Sequence, residues 1–140
     1  MGVNSQNIFC SIGSFDHIVL TVKDLHNTVT FYTDVMNMNL ETYIAKNDNT
    51  ERISVTFGNQ KINIHSYDNP HKEHAKIPTP GSADLCFLSN NSVQDWIKYL
   101  NLKGIHIVDG PVKRNGANGE ILSIYIRDPD GNLIEIAEEI

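Results

Sequence analysis

An α+β fold of two tandem βαβββ modules, their strands forming a curved mixed sheet around a cleft, is predicted by three features of the 140-residue chain. The order of strand-like and helix-like segments before residue 68 is repeated after residue 82. A stretch carrying Pro70, Pro78 and Pro80 with few apolar residues separates the two copies. Near the end, Asp128-Pro-Asp-Gly131 reads as a chain reversal between two apolar strands. Proline presets φ, Asp follows easily, and Gly131 accepts positive φ. The boundaries are an arm at 1–13, a first module at 14–68, a linker at 69–81 and a second module at 82–140.

In chain order, residues 1–13 are polar and Asn/Ser-rich, a loose arm or docking strand. Phe15 to Val22 alternates as a strand, with Ile18, Leu20 and Val22 on one face and His17, Val19 and Thr21 on the other. Asp24 is an N-cap, and Leu25, Thr28, Val29, Phe31, Tyr32 and Val35 give a helical stripe that ends before Asn37. Leu40 to Ala45, Arg52 to Phe57 and Lys61 to Tyr67 follow as strands, the last two joined by a Gly58-Asn59-Gln60 turn. In the second module, Ala83 to Leu88 is a strand, Ser92 caps a helix through Leu100, and Ile105 to Val108 is a strand. A Gly-rich loop is expected from Gly110 to Glu120, then strands Ile121 to Arg127 and Asn132 to Glu138.

Bulk composition narrows the function. Apolar and charged contents of 40% and 20% are those of an ordinary soluble globular protein. No run approaches the ~18 apolar residues of a membrane helix, and the first residues lack a basic secretory n-region. The chain is therefore expected to be cytosolic. Cys10 and Cys86 do not make a disulfide framework. A net charge of -6 with dispersed Lys and Arg argues against a nucleic-acid surface. The expected partner is a small molecule, with neither nucleic acid nor membrane.

Chemistry concentrates on the strands. Glu135 sits between Ile134 and Ile136 on the last strand, and a carboxylate there needs a partner. Laying the modules over each other sets His17 against Asp84 and His65 against Glu135, at offsets of 67 and 70. Each module thus offers one candidate ligand on its first strand and one on its last. Two imidazoles and two carboxylates suit a borderline divalent ion, and the set does not choose among Zn, Ni, Mn, Fe and Co. The apolar faces (Ile18/Leu20, Ile62/Ile64, Leu85/Phe87, Ile134/Ile136) should pack on the helices and leave the ligand faces to line a cavity. Asp84 can equally orient a His from behind. Cys86 reads as a small core residue whose parity lets it touch the cavity as a substrate contact. Arg114 is a candidate clamp for an anionic substrate. Trp96 and Phe31 read as helix core, and His26, His71, His74 and His106 as surface histidines.

These residues resemble the vicinal oxygen chelate superfamily of glyoxalase I, extradiol dioxygenases, fosfomycin-resistance thiol transferases and bleomycin-binding proteins. The matching pieces are Phe15-Asp-His-Ile-Val-Leu-Thr-Val22, Thr30-Phe-Tyr-Thr-Asp-Val-Met36 and Arg127-Asp-Pro-Asp-Gly-Asn-Leu-Ile-Glu-Ile136, within a single domain over 14–139. Gly110 to Tyr125 is most similar to the glyoxalase domain-containing, lactoylglutathione-lyase-like subgroup. The resemblance implies a divalent metal held at His17, His65, Asp84 and Glu135, Glu135 as base, and a homodimer whose site can draw on two chains. It implies a lyase or isomerase acting on a vicinal-oxygen substrate such as a 2-oxoaldehyde thiol adduct. The other family chemistries are a non-haem Fe(II) dioxygenase and a metal-free binding protein of the bleomycin-resistance type. Departures are specific: glyoxalase I commonly has Glu and His where this chain has His65 and Asp84, and an Arg for the glutathione carboxylate where it has Thr21. The fosfomycin enzymes carry Thr where this chain has Val19, and extradiol dioxygenases carry His where it has Asp84.

Overall fold

The computed structural model describes residues 7–140. The part of the expected arm at 1–6 lies outside them; residues 7–17 have no regular secondary structure and expose Ile8, Phe9, Ile12 and Phe15. The elements are β1 (Ile18–Val22), α1 (Leu25–Thr30) running on as a π-helical turn (Phe31–Val35), β2 (Asn39–Ile44), β3 (Glu51–Phe57) and β4 (Gln60–Ser66). After the linker come β5 (Asp84–Leu88), α2 (Val93–Leu102), β6 (Asp109–Gly116), β7 (Gly119–Arg127) and β8 (Leu133–Glu139).

The strands divide into two four-stranded mixed sheets with the same internal order, β1-β4-β3-β2 and β5-β8-β7-β6. In each, the first strand lies parallel to the last and the remaining pairs are antiparallel. A parallel pair needs a crossover, which α1 and α2 help to supply. Side-chain parity follows the sequence: Leu20, Val22, Ile62, Ile64, Ile134 and Ile136 are buried in one continuous core with Tyr32, Phe31, Val93 and Leu100. The opposite faces carry His17, Thr21 and Asn63 in one sheet, and Asp84 and Glu135 in the other.

Several contacts join the modules. Phe57 and Phe87 meet edge to face at 5.4 Å, and the Tyr99 hydroxyl on α2 donates to the Val35 carbonyl at 2.8 Å. The buried Tyr32 hydroxyl donates to Asp128 Oδ2 at 2.7 Å, and burial together with that carboxylate keeps the phenol protonated. Asp128 also accepts from the Asn132 amide and from the backbone N–H groups of Asp130 and Asn132. The reversal expected at Asp128 to Gly131 is therefore present, with Gly131 at φ +88°, and it is fastened to α1 as well as to itself.

The main correction falls in the second module. Ile105 to Val108 is not a strand, and the expected Gly-rich loop is mostly β6, paired antiparallel to β7. Its glycines serve sheet geometry. Gly110 has φ +98°, and a Cβ there would lie 2.5 Å from the Ser123 carbonyl oxygen. The pairing register shifts between Asp109 and Val112, so Gly110 marks an irregularity inside a ladder. β1 begins at Ile18, which leaves His17 just ahead of the strand.

Candidate active site

On the second sheet, β5 and β8 set Cys86 opposite Glu135, and β7 and β8 set Tyr125 opposite Glu135 from the other side. The fully buried Ser123 donates its hydroxyl to Glu135 Oε2 at 2.5 Å. The Tyr125 hydroxyl accepts from Arg114 Nε at 3.1 Å, and the Arg114 guanidinium lies 5.8 Å from the Tyr125 ring centroid. With one lone pair engaged by Arg114, the phenol keeps its own proton, and the Glu135 carboxylate across the strand pair lies close enough to accept it. Burial raises the Tyr125 pKa, and the Arg114 hydrogen bond opposes that rise. A cavity of about 370 Å³ opens over the group, lined by Asp84, Asp109, Arg114, Tyr125, Arg127 and Glu135 among others.

Cys86 is exposed, not a core residue. Burial of the sulfur and the neighbouring Glu135 push its thiol up to about 11, so it stands beside the carboxylate as a neutral thiol. Arg114 lies on β6 rather than in a loop, and its strand position brings it to Tyr125. Tyr125 and Ser123 were not picked out from the sequence. The missing signal was the β6–β7 pairing, which sets Val112 opposite Ser123 and lets the long Arg114 side chain, paired opposite Ile121, reach diagonally to Tyr125.

On the first sheet, β1 and β4 set Thr21 opposite His65. His17 is exposed, with Nδ1 2.8 Å from Asp16 Oδ2. It lines a cavity of about 230 Å³ together with Lys61 and Cys86, so it reaches the boundary between modules. His65 is 9% exposed and meets His71 from the linker edge to face, ring centroids 4.9 Å apart. His71, read from the sequence as a surface histidine, is thus half-buried on His65. Burial first, then His71 and Arg52, lower the His65 pKa and favour the neutral imidazole. Its Nδ1 is buried and has no hydrogen-bond partner among the described residues. Neutral imidazole nitrogen and carboxylate oxygen are the right donors for a borderline divalent cation. The structure nevertheless divides them two and two: His17 and His65 on one sheet, Asp84 and Glu135 on the other. Among the described residues, no three His, Cys, Asp or Glu side chains group closely enough to hold an ion. One chain alone does not fit a resident metal.

Paired βαβββ modules with a carboxylate on the last strand define the class. Residues 14–136 match the family model of the glyoxalase/bleomycin resistance protein/dioxygenase superfamily, and the chain belongs to that family. It is 45% identical to virulence protein STM3117 of Salmonella typhimurium over 96% of this chain and 90% of that protein. The crystal structure of STM3117 superposes with a TM-score of 0.86, at 46% identity over 94% of this chain and all of that one. The glyoxalase domain-containing protein RDO1 of Mycosarcoma maydis is also 45% identical, over 91% of this chain and 69% of its own length. Metallothiol transferase FosB of Staphylococcus epidermidis is 29% identical over 89% of this chain and 81% of that protein. No helix among the described residues is long and apolar enough to cross a membrane.

Proposed function

We propose that the chain is one subunit of a homodimeric, divalent-metal-dependent, glyoxalase-like lyase or isomerase acting on a small substrate with vicinal oxygens, such as a 2-oxoaldehyde thiol adduct. The observation that carries the reading is the open pocket in which Ser123 fixes Glu135 while Arg114 and Tyr125 line the same space with a cation and a hydroxyl. Family membership supports it, as does the similarity to FosB, a metallothiol transferase.

Glu135 takes the proton from the substrate carbon that bears the hydroxyl and returns it to the neighbouring carbon, so the reaction is an isomerisation with no net loss of atoms. Arg114 and Tyr125 hold a substrate oxygen where negative charge develops. Cys86, neutral beside Glu135, offers substrate contact rather than attack. In this proposal His17 and His65 of one copy, with the carboxylates Asp84 and Glu135 of a second copy, would hold the cation. When bound, the ion draws electron density from the vicinal oxygens and makes the adjacent carbon more acidic.

The test is elemental analysis of protein purified without chelator, joined to a turnover screen of methylglyoxal adducts of glutathione and other small thiols. Glu135→Gln is expected to lower turnover by about 10²- to 10⁴-fold, the usual contribution of a general base. Unchanged turnover removes Glu135 from this role. Oxygen uptake with a catecholic substrate would assign the dioxygenase chemistry instead. The division of donors between the sheets favours one second reading, a metal-free small-molecule binder, which stands if the dimer takes up no divalent ion.

A further inference from the structure

The chain carries a second cavity whose chemistry is opposite to that of the Glu135 pocket. It measures about 590 Å³, lies between the modules, and shares no lining residue with the Glu135 pocket. Of the sixteen residues that line it none is charged, although one residue in five of the whole chain is. Six carboxamides surround it: Asn37, Asn39, Asn59, Gln60, Asn90 and Asn91. Trp96 and the edge-to-face pair Phe57 and Phe87 supply flat apolar surface.

Turn geometry does not account for the amides, since only Asn37 of the six has a left-handed backbone, at φ +58°. Internal bonding does not account for them either. Among the described residues only Asn37 commits its side chain, donating to the Tyr99 hydroxyl at 3.2 Å. The other five each present two N–H donors and a carbonyl acceptor to whatever fills the space. They come from three places, the first residue of β2, the β3–β4 turn with the first residue of β4, and the β5–α2 loop, so both modules contribute. A charged ligand would leave water here without a counter-charge, which is costly. A purely apolar one would strip water from the amides without replacing its hydrogen bonds. A ring of hydroxyls, each donor and acceptor at once, with a C–H face to lie on an aromatic, satisfies both groups of residues. The size lies within the ordinary range of roughly 300–1,000 Å³ for small-molecule sites.

We infer that this cleft is a binding site for a neutral, hydroxyl-rich ring, a sugar or the sugar portion of a larger molecule. The site meets the proposed chemistry only at Cys86, which lines this cleft and stands beside Glu135, and its occupancy does not depend on turnover.

Trp96 is the sole tryptophan of the chain; it lines both this cleft and the adjoining hollow of Asn37, Asn91, Asp95 and Tyr99, and the Asn59 and Asn90 amides, which line this cleft and not the hollow, tell the two apart. Methyl glucoside, N-acetylglucosamine and maltose are titrated into the intact protein, with glucuronic acid as the charged counterpart. At least one neutral sugar is expected to change Trp96 emission saturably, with glucuronic acid at least tenfold weaker. Asn59→Ala combined with Asn91→Ala is expected to weaken that binding at least tenfold, and Asn90→Asp should also weaken it. Side-chain amide signals in NMR provide an independent readout, with shifts expected for Asn59, Gln60, Asn90 and Asn91. Glu135→Gln, which removes the proposed turnover, leaves the titration intact. The inference is overturned if no neutral sugar produces a saturable change, if the double variant binds as well as the parent, or if glucuronic acid binds equally.

Discussion

Ser123 is fully buried on β7, and the hydroxyl it aims at Glu135 orients the carboxylate across two adjacent strands. Ser123→Ala removes a charge-assisted bond and leaves that carboxylate oxygen without its buried donor. The expected cost is about 1.5–3 kcal/mol in denaturant unfolding, together with a loss of turnover larger than any change in KM. Stability and activity both unchanged would show that Glu135 holds its position without the bond. Asp128 carries more partners and a different task. Because it gathers the Tyr32 hydroxyl, the Asn132 amide and two backbone N–H groups, Asp128→Ala strands several buried donors at once. It is expected to destabilise the fold by about 3 kcal/mol, read as a lower urea midpoint, whereas Tyr32→Phe, which deletes one of those bonds, costs about 1 kcal/mol.

Elements in this chain begin and end where side chains satisfy backbone groups. Ser92 caps α2 by accepting from the Asp95 N–H at 3.1 Å, and Glu138 Oε1 accepts from the Val93 N–H at 3.0 Å. The helix start is thus tied to β8, next to the strand segment that bears Glu135. Ser92→Ala should cost about 1 kcal/mol, visible in the thermal transition. The connection between β2 and β3 has its own acid sensitivity. Bonds from the Thr50 hydroxyl and amide, with Arg52 adding its charge, hold the Asp48 carboxyl at about 2, against an ordinary 3.8. A folded value below the unfolded one contributes stability that is complete above the unfolded pKa and is lost as pH falls toward 2. A carbon-13 titration of the carboxyl should place its midpoint near 2, and a midpoint at 3.8 would contradict the loop geometry.

At the scale of the whole molecule, the question is how two half-sets of donors come to serve one reaction. If the cation of the proposed enzyme lies between copies, mixing defective subunits repairs it. A His17→Ala chain and a Glu135→Gln chain are each expected to be inactive. A mixed dimer has one site with both defects and one with neither, so random exchange should restore about a quarter of parental turnover in a two-fold symmetric dimer. Native mass spectrometry checks that mixed dimers form. Restored activity absent despite their formation would mean that each site draws on a single chain.

How far residues could be read in advance depended on the range of the forces that place them. Strand parity, the Ser92 cap, the Asp128 to Gly131 reversal and the duplication of βαβββ order were all legible, because side-chain alternation and turn preference are set within a few residues. Glu135 was legible for the same reason, as a carboxylate on an otherwise apolar core strand. The β6 strand was misread as a loop since Gly110 serves a close approach to Ser123, a neighbour that local pattern does not reveal. Tertiary structure alone decided that Arg114 reaches Tyr125, that His71 covers His65, that Cys86 stands beside Glu135, and that among the described residues the four candidate ligands do not converge within one chain. Each of those depends on cross-strand register or on the packing of one module against the other, distances along the chain over which no residue pattern carries information.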